Sequence, residues 1–527
     1  MKLLVSCVTF LSLSIAVPLD GRQSRGRTAE ENYHPSFPED RIVRANTRNA
    51  QLEQTIDYWY AEARKTVDKL VDRTENKNIA KNIILFLGDG MSIATVGMTR
   101  VYFGGEEKQL AFETFPYTGM SKTYCVDYQV ADSACTSTAY LCGVKGNYAT
   151  IGVNAQVPNM NCTAELDEST HTHSIAKWAM DAGKDAGFVT TTRVTHASPA
   201  GIYAHTANRD WEDDAWIEDD GCDSEVLDDI AEQLVYGEVG KRLKVIMGGG
   251  RRQFLGSDLD PEYGTPGIRR DNKNLIREWQ EMEGFGENRT YVWNKEDLFK
   301  VDPVHTGRLL GLFEPSHCAF NLDRVRNNME AEPTLAEMVD RATDLLSQNE
   351  KGFFLFVEGG RIDHAHHDNW GKLALDETVE FAKAVELARE KFSDEDTLIV
   401  VTADHAHSVS FSGYPNRGAD ITGSAGTSSD GLPYMTLTYA NGLGFYDHID
   451  VENKGRMDIR NMDTTADYFR YPATVPVELE THGGEDVTVY ASGPWAHLFT
   501  GTYEQHAIPH IMAYASCIGD GLKACST

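Results

Sequence analysis

Residues 353–368 read FFLFVEGGRIDHAHHD: an apolar run, two glycines, and then a segment rich in histidine and aspartate. A continuous apolar run of this kind is typical of a β-strand buried on both faces. If a helix begins after the glycines, Asp363 and His367 stand four residues apart on one of its faces, about 5–6 Å from each other. The stretch therefore predicts a buried strand that delivers two metal-ligand side chains at its carboxyl end.

The same kind of apolar run recurs along the chain, with helical patterns between the runs, at residues 82–91, 186–198, 243–250 and 397–407. Strands that alternate with helices predict an α/β fold whose central, mostly parallel sheet is flanked by helices. Such sheets bind ligands outside the carboxyl ends of their strands. Polar residues follow the apolar part of each of these segments, and of the segment 353–360. They are Asp89, His196, Ser198, Glu358, Asp404 and His405.

Two short motifs add further candidate metal ligands. TADHAH contributes Asp404, His405 and His407, and THGGED contributes His482. Carboxylate and imidazole groups without thiolate are the ligands of catalytic rather than structural zinc. Because buried charges without a counter-ion are very costly, we expect these clusters to hold metal ions.

Ser133 follows Asp132 at the predicted start of a helix, in DSACTS. The backbone amides and dipole of a helix start suit an anion, although a serine or aspartate there can equally be an N-cap. No histidine stands beside Ser133 in the sequence to act as its base. A metal ion could take that part by lowering the pKa of the hydroxyl.

Composition places the chain outside the nucleic-acid binders. Its 49 Lys and Arg against 80 Asp and Glu give 527 residues a net charge of -31, which opposes binding to a nucleic-acid backbone or an anionic membrane surface. No segment is long and apolar enough to predict a transmembrane helix. Residues 1–16 read as a signal peptide and 17–50 as a leader, so we expect an exported protein.

Features of the secretory route agree with export. Two glycosylation sequons occur, at Asn161 and Asn288, and Cys517 and Cys525 can close a small terminal loop. The sequence stops two residues after Cys525 without an apolar tail, which favours a soluble secreted form over a lipid-anchored one. A trimmed record of an anchored protein is the competing explanation.

Residues 413–480 differ in composition from the rest of the chain. They are rich in Gly, Ser, Asn, Asp and Tyr and carry little helical periodicity. We interpret them as a surface insertion. The α/β core then comprises residues 51–412 and 481–527.

Taken together, the motifs resemble those of animal alkaline phosphatases. The matching segments are FLGDGM, DSACTSTAYLCGVKGN, TTTRVTHASPAGIYAHTANR, MGGGRRQF, GLFEP, GFFLFVEGGRIDHAHH, VTADHAH, SGYPNRG and THGGEDV. They run in family order across most of residues 50–520. The resemblance implies an α/β phosphatase with a crown-like insertion that hydrolyses phosphate monoesters at alkaline pH, through a phosphoserine on Ser133 and with Arg209 holding the phosphate.

The resemblance also implies two zinc ions and one magnesium ion per subunit. Its first zinc ligands are Asp363, His367 and His482; the second zinc takes Asp89, Asp404, His405 and the Ser133 oxygen; magnesium takes Asp89, Ser198 and Glu358. His196 and His364 would lie near the magnesium, and His407 would orient a zinc ligand from behind. His366 receives no catalytic part and is expected to be structural.

Four further expectations come from the resemblance. A calcium ion would bind Glu262, the Phe313 carbonyl, Glu314 and Glu332. A disulfide would join Cys162 to Cys222, which leaves Cys125, Cys135, Cys142 and Cys318 without assigned partners and Cys135 as a buried, inert thiol. The helix YWYAEARKTVDKLV near the N-terminus would lie on a second subunit of a homodimer, and Tyr414 would reach the neighbouring active site.

Two alternatives remain at this stage. A phosphodiesterase or sulfatase of the same superfamily is one, although DSACTS does not match the sulfatase motif. A non-catalytic secreted protein that stores metal or phosphate is the other. Release of p-nitrophenol from its phosphate monoester, with and without a chelator, separates both from a phosphomonoesterase.

Overall fold

The computed structural model describes residues 51–259, 264–282, 288–452 and 454–526. The signal peptide and the leader predicted at residues 1–50 lie outside these residues, as does Glu262. The strands are β1 Asn82–Gly88, β2 Tyr117–Lys122, β3 Asp185–Arg193, β4 Val245–Gly249, β5 Arg289–Val292, β6 Arg308–Leu312, β7 Phe353–Gly359, β8 Thr397–Thr402, β9 Ala406–His407, β10 Val409–Phe411, β11 Ser424–Thr427, β12 Pro433–Met435, β13 Leu437–Asn441, β14 Ile449–Asp450, β15 Gly455–Arg456, β16 Ala473–Val475, β17 His482–Gly483, β18 Val487–Ser492 and β19 Gly501–Glu504.

Helices connect these strands and cover the sheet. They are α1 Ile56–Val71, α2 Ile93–Phe103, α3 Ser133–Cys142, α4 Ile175–Asp181, α5 Ala197–Ala200, α6 Asp214–Asp219, α7 Ile230–Tyr236, α8 Leu275–Glu281, α9 Lys295–Lys300, α10 Asn321–Arg326, α11 Leu335–Leu346, α12 Arg361–His367, α13 Gly371–Lys391, α14 Gly444–His448 and α15 Ala507–Ser516. Among the described residues, no helix combines the length and apolar character needed to cross a membrane.

A ten-stranded sheet forms the centre, in the order β19-β2-β18-β8-β1-β7-β3-β4-β6-β5. The seven strands from β8 to β5 pair in parallel, and β18 enters antiparallel between β8 and β2. This confirms the predicted α/β class with a mostly parallel sheet.

The continuous apolar runs follow from burial on both faces of the sheet. In β1, Ile83 and Leu85 pack into one hydrophobic layer, whereas Ile84 and Phe86 pack into the layer on the opposite face. Successive side chains of a strand point to opposite faces, so a strand between two layers needs an apolar residue at every position.

The register aligns the ends of neighbouring strands. Gly88 of β1 lies beside Gly359 of β7, and Thr190 of β3 lies beside Glu358 of β7. The residues that follow β1, β7 and β8 therefore come out at one edge of the sheet.

Residues 413–480 form small sheets of their own. β11 pairs with β12, β14 pairs with β15, and β13 and β16 join β10 in a three-stranded sheet. Because β10 begins at Val409, this substructure starts just before the predicted boundary.

Candidate metal centre

The candidate nucleophile stands at the first turn of a buried helix. α3 begins at Ser133, and the Asp132 side chain caps it by accepting a hydrogen bond from the Cys135 N–H at 3.2 Å. Because Asp132 is the cap, the Ser133 hydroxyl is not used for that purpose. Its Oγ lies 3.2 Å from His405 Nε2.

A first cluster surrounds Asp363. Its Oδ2 lies 3.3 Å from His367 Nε2 and its Oδ1 lies 3.3 Å from His482 Nε2, with 3.1 Å between the two imidazole nitrogens. Each ring donates its Nδ1 proton to a backbone carbonyl, Glu480 O for His367 and Ala131 O for His482. Each Nε2 therefore keeps a free lone pair facing Asp363, as in histidines that bind a metal ion.

His407 supports this first cluster through a hydrogen bond to Asp363. Its Nε2 lies 2.7 Å from Asp363 Oδ1 and its Nδ1 lies 2.5 Å from Glu480 Oε2. Burial alone would lower the pKa of His407, but Glu480 and Asp363 together raise it to about 10. The second carboxylate, Glu480, was not predicted from the sequence; it is buried and also accepts hydrogen bonds from the N–H and hydroxyl of Ser408.

A second cluster joins Asp89, Asp404 and His405, which lie just past the ends of β1 and β8. Asp404 Oδ1 accepts hydrogen bonds from the N–H groups of Gly90 and His405, at 3.0 and 2.9 Å. Its Oδ2 lies 3.1 Å from His405 Nε2, and Asp89 Oδ1 lies 3.7 Å from the same nitrogen. All three side chains are completely buried.

A third cluster brings together the oxygen atoms of Asp89, Ser198 and Glu358, with His196 beside them. The Ser198 hydroxyl donates to Asp89 Oδ2 at 3.3 Å, and Glu358 Oε2 accepts from Thr190 and from Thr192 Oγ1, the latter at 3.0 Å. The two threonines were not predicted as site residues. They end the apolar run of β3, so the strand-end pattern could have identified them.

The pKa values of Asp89 and Glu358 are raised, and a nearby cation would favour the ionised form of both carboxylates. Burial, and then Asp404, raise the pKa of Asp89 well above its usual range. Burial also raises the pKa of Glu358 to about 7, although Thr190 and Thr192 act in the opposite direction. Asp363 differs: burial acts upward, but His367 beside it holds its pKa well below the usual range.

Arg209 lies at the rim of the centre. Its Nη1 donates to Asp132 Oδ2 at 3.0 Å and its Nη2 lies 3.2 Å from His196 Nε2. Burial acts to lower the pKa of Arg209, but Asp132 raises it overall, so the guanidinium stays charged. The side chain is 21% exposed and can meet a substrate.

Three histidines pack together beside Arg209. The rings of His196 and His364 have centroids 5.3 Å apart, and His317 stands 4.2 Å from His364. His317, not predicted from the sequence, follows β6 closely and also contacts Arg193.

His366 is buried between Thr95 Oγ1 and the Tyr439 hydroxyl, at 2.9 and 2.8 Å.

Two of the calcium candidates are close neighbours. The Glu332 carboxylate accepts from the Ala319 N–H at 3.1 and 3.3 Å, and burial followed by the adjacent Glu314 raises its pKa to about 8. Phe313 directly precedes Glu314 at the end of β6. Since Glu262 lies outside the described residues, the complete site stays a prediction.

The cysteine pairing corrects one expectation. The structure contains Cys162–Cys222 and Cys517–Cys525, but Cys135 carries no inert thiol, because it is bonded to Cys125. The chain between them, residues 126–134, folds back and brings the two Cα atoms within 5.8 Å. Cys142 and Cys318 are buried and free.

The fold and the three clusters indicate a class of protein, an α/β enzyme with buried metal-binding groups beside a serine. The alkaline phosphatase family model matches residues 80–518. The chain is 45% identical over 514 residues to the membrane-bound alkaline phosphatase of Bombyx mori, covering 94% of this chain and 92% of that one. It is also 45% identical over 483 residues to the alkaline phosphatase of Gadus morhua, covering 89% and 98%.

A solved structure shares the fold. The alkaline phosphatase of the Antarctic bacterium TAB5 superposes with a TM-score of 0.57 at 22% identity, covering 84% of this chain and 100% of that one. A mutant of that enzyme has Mg bound in its M3 site.

The chain belongs to the alkaline phosphatase family and is a phosphoric monoester hydrolase. The family assignment confirms the predicted enzyme class over the sulfatase, phosphodiesterase and storage-protein alternatives.

Proposed function

We propose that the centre binds two zinc ions and one magnesium ion and hydrolyses phosphate monoesters through a phosphoserine on Ser133. Buried carboxylate oxygens carry the proposal: Asp89 Oδ1 and Glu358 Oε1 have no hydrogen-bond partner among the described residues, and Asp404 Oδ2 has only the His405 ring nitrogen, 3.1 Å away. An unpaired buried charge costs several kcal/mol, on the order of what would unfold a marginal protein. Bound cations would offset that cost.

The chemistry of the donors supports the assignment of each metal. The Asp363, His367 and His482 cluster mixes carboxylate and imidazole, which suits zinc, and so does the cluster of Asp89, Asp404 and His405 next to Ser133. In the third cluster, Asp89, Ser198 and Glu358 offer oxygen atoms, which suit magnesium, and His196 lies beside them. The magnesium in the TAB5 mutant supports the presence of such a site in the family.

The metal ions would supply Lewis acidity, lowering the pKa of the serine hydroxyl and neutralising phosphate charge. The chain itself supplies the nucleophile and its alignment. Arg209 is aimed by Asp132, and its planar fork can donate to two phosphate oxygens. The N-terminal end of α3, at Ser133, adds backbone amides that can bind an anion.

The proposed reaction has two in-line steps. Ser133 Oγ forms a bond to phosphorus as the bond from phosphorus to the leaving oxygen breaks, which gives phosphoserine and the alcohol. Water then attacks the phosphoserine from the opposite side, which releases inorganic phosphate and restores the Ser133 hydroxyl. Two inversions give net retention of configuration at phosphorus.

The test combines metal analysis with turnover. The purified protein should contain about two zinc and one magnesium per chain, and should release p-nitrophenol from p-nitrophenyl phosphate at high pH. A chelator should abolish this activity, and zinc with magnesium should restore it. Full activity in metal-depleted protein would contradict the proposal.

We further propose a calcium ion at Glu314 and Glu332. The support is their closeness and the raised pKa of the buried Glu332, because a cation bound beside it would favour its ionised form. Calcium should therefore raise the melting temperature of the protein, and Glu332→Gln should remove that effect. An equal calcium response in the variant would contradict the site.

We also propose a homodimer. α1 carries exposed apolar residues, among them Trp59 and Val71, and Tyr414 is 59% exposed in the proposed insertion of residues 413–480. Exposed apolar surface of this kind is typical of protein interfaces. Light scattering at micromolar concentration should give twice the chain mass, whereas a fully active monomer would contradict it.

We also propose that the protein is secreted as a soluble glycoprotein. Asn161 and Asn288 are both exposed, as glycan attachment requires. Expression of the full sequence in animal cells should place activity in the medium, in a form whose mass falls after glycan removal. Activity retained on membranes until a phosphatidylinositol-cleaving lipase is added would favour an anchored form instead.

A further inference from the structure

The Cys125–Cys135 disulfide closes a loop directly onto the nucleophile's helix. Cys135 is the third residue of α3, two positions after Ser133, and Cys125 lies shortly after β2. Both cysteines are 2% exposed and pack with Ala131. The cross-link is therefore part of the buried wall of the site.

The loop is also tied to a neighbouring segment, residues 146–149. The Val126 N–H donates to Gly146 O at 3.0 Å, and the Tyr148 N–H donates to Asp127 Oδ1 at 2.9 Å. At the end of this segment, Ala149 O accepts the backbone N–H of Arg209 at 2.9 Å. The loop is thus hydrogen-bonded to the segment that in turn accepts the backbone N–H of Arg209.

Asp132 connects these parts. Its Oδ1 accepts the N–H groups of Cys135 and Ala149, at 3.2 and 3.0 Å, and its Oδ2 accepts Arg209 Nη1 at 3.0 Å. A shift of Cys135 would therefore move Asp132. Asp132 is the chain neighbour of Ser133 and also holds the Arg209 guanidinium, so both of those groups would move with it.

We propose that Cys125 and Cys135 are positioning residues whose disulfide fixes the first turn of α3, so that Ser133 Oγ and the Arg209 guanidinium keep the separation that in-line attack needs. The proposal rests on the reaction proposed above. A displacement of about 1 Å at a reacting group can reduce the rate by roughly 100-fold. A covalent clamp three residues from the aspartate and two from the nucleophile opposes such a displacement.

Another disulfide of the described chain supplies a matched control. Cys162–Cys222 spans 60 residues in sequence, against 10 for Cys125–Cys135, and packs in a separate cluster with Trp211 and Leu227. Longer closed loops restrict the unfolded chain more, so removal of Cys162–Cys222 should lower the melting temperature more. Removal of Cys125–Cys135 should nevertheless reduce the chemistry more.

The experiment compares two double variants of the full-length protein, Cys125→Ser with Cys135→Ala, and Cys162→Ser with Cys222→Ser. Active sites are counted from the zinc content of the folded protein, so that turnover is expressed per metal-loaded molecule. We expect the first variant to lose about 10–100-fold in kcat per active site and to bind inorganic phosphate several-fold more weakly as a competitive inhibitor. We expect the control to keep both values while its melting temperature falls further.

Several outcomes would overturn the proposal. A kcat per active site within twofold of wild type in the Cys125→Ser, Cys135→Ala variant would do so, and so would an equal loss in the control. A wild-type protein that turns over without forming phosphoserine on Ser133 would instead count against the phosphoserine route, which separates the two failures.

If the first variant does not fold, the wild-type protein is treated with tris(2-carboxyethyl)phosphine in urea below its unfolding transition, with zinc content measured alongside. Each disulfide takes two electrons from the phosphine, giving two thiols while the phosphine takes an oxygen from water to become the phosphine oxide, and the thiols are mapped by mass spectrometry. Activity loss should follow reduction of Cys125–Cys135. Activity that persists after that pair is reduced, or that follows another pair, would overturn the proposal.

Discussion

Glu480→Gln tests how the chain orients its proposed first zinc site. Glu480 Oε2 lies 2.5 Å from His407 Nδ1, and His407 Nε2 lies 2.7 Å from Asp363 Oδ1. The substitution keeps the shape of the side chain but removes the charge that helps to raise the pKa of His407. His407 then becomes a weaker hydrogen-bond donor to Asp363, and the carboxylate is less firmly held.

The expected magnitude follows from the lost charge-assisted hydrogen bond. Such bonds contribute about 1.5–3 kcal/mol, and changes behind a metal ligand typically weaken metal binding by about 10–100-fold, which corresponds to roughly 1.4–2.7 kcal/mol. We therefore expect Glu480→Gln to weaken zinc binding at this site by about 10–100-fold.

The assay is a zinc titration of metal-depleted enzyme against a competing chelator, followed by activity. The neighbouring Glu478 is exposed, so Glu478→Gln is the matched control and should titrate as wild type. Wild-type zinc affinity in Glu480→Gln would refute the reasoning that the Glu480–His407 pair supports Asp363.

Ser133→Ala should remove nearly all turnover while zinc content stays close to wild type, because three protein ligands remain at the second zinc site; Ser137→Ala, one turn further along α3, is the control, and a phosphotransfer rate near wild type in Ser133→Ala would show that another nucleophile acts. Removing both Asp363 and His482 should sharply lower hydrolysis and let phosphoserine accumulate, provided that metal analysis shows the other sites occupied; hydrolysis at the wild-type rate would exclude that cluster from the reaction. Burial raises the pKa of Glu377 to about 8, above its value in the unfolded chain, so its ionisation should destabilise the fold as pH rises toward 8. The melting temperature of Glu377→Gln should match wild type near pH 5 and exceed it above pH 8, and an unchanged difference across this range would contradict the raised pKa.

Strand-end residues could be predicted because one geometric rule places them. The apolar runs identified the central strands, and in a parallel sheet the residues after them meet at one edge. Asp89, Glu358 and Asp404 were found in this way, and Asp363 and His367 from their helical spacing. The same rule would have reached Thr190 and Thr192, had neutral hydroxyls been counted as site residues.

Other features depend on contacts that no local pattern encodes. Glu480 reaches His407 because the two-residue strands β9 and β17 pair, with His482 opposite His407, and strands that short have no sequence signature. Cysteine pairing is similarly open: leaving out Cys7 in the predicted signal peptide, the other eight cysteines allow about 105 connectivities, so Cys125–Cys135 could not be derived from spacing. His317 follows a strand, but nothing in GLFEPSH indicates that its ring packs on His364.

Phosphopeptide mapping tests the central claim most directly. Enzyme turning over p-nitrophenyl phosphate is quenched in acid, digested and examined by mass spectrometry, with metal-depleted enzyme treated in parallel. Phosphate should be found on Ser133 in the metal-loaded sample and on no residue in the metal-depleted one. Phosphate on a different residue, or turnover by loaded enzyme without any phosphopeptide, would contradict the account.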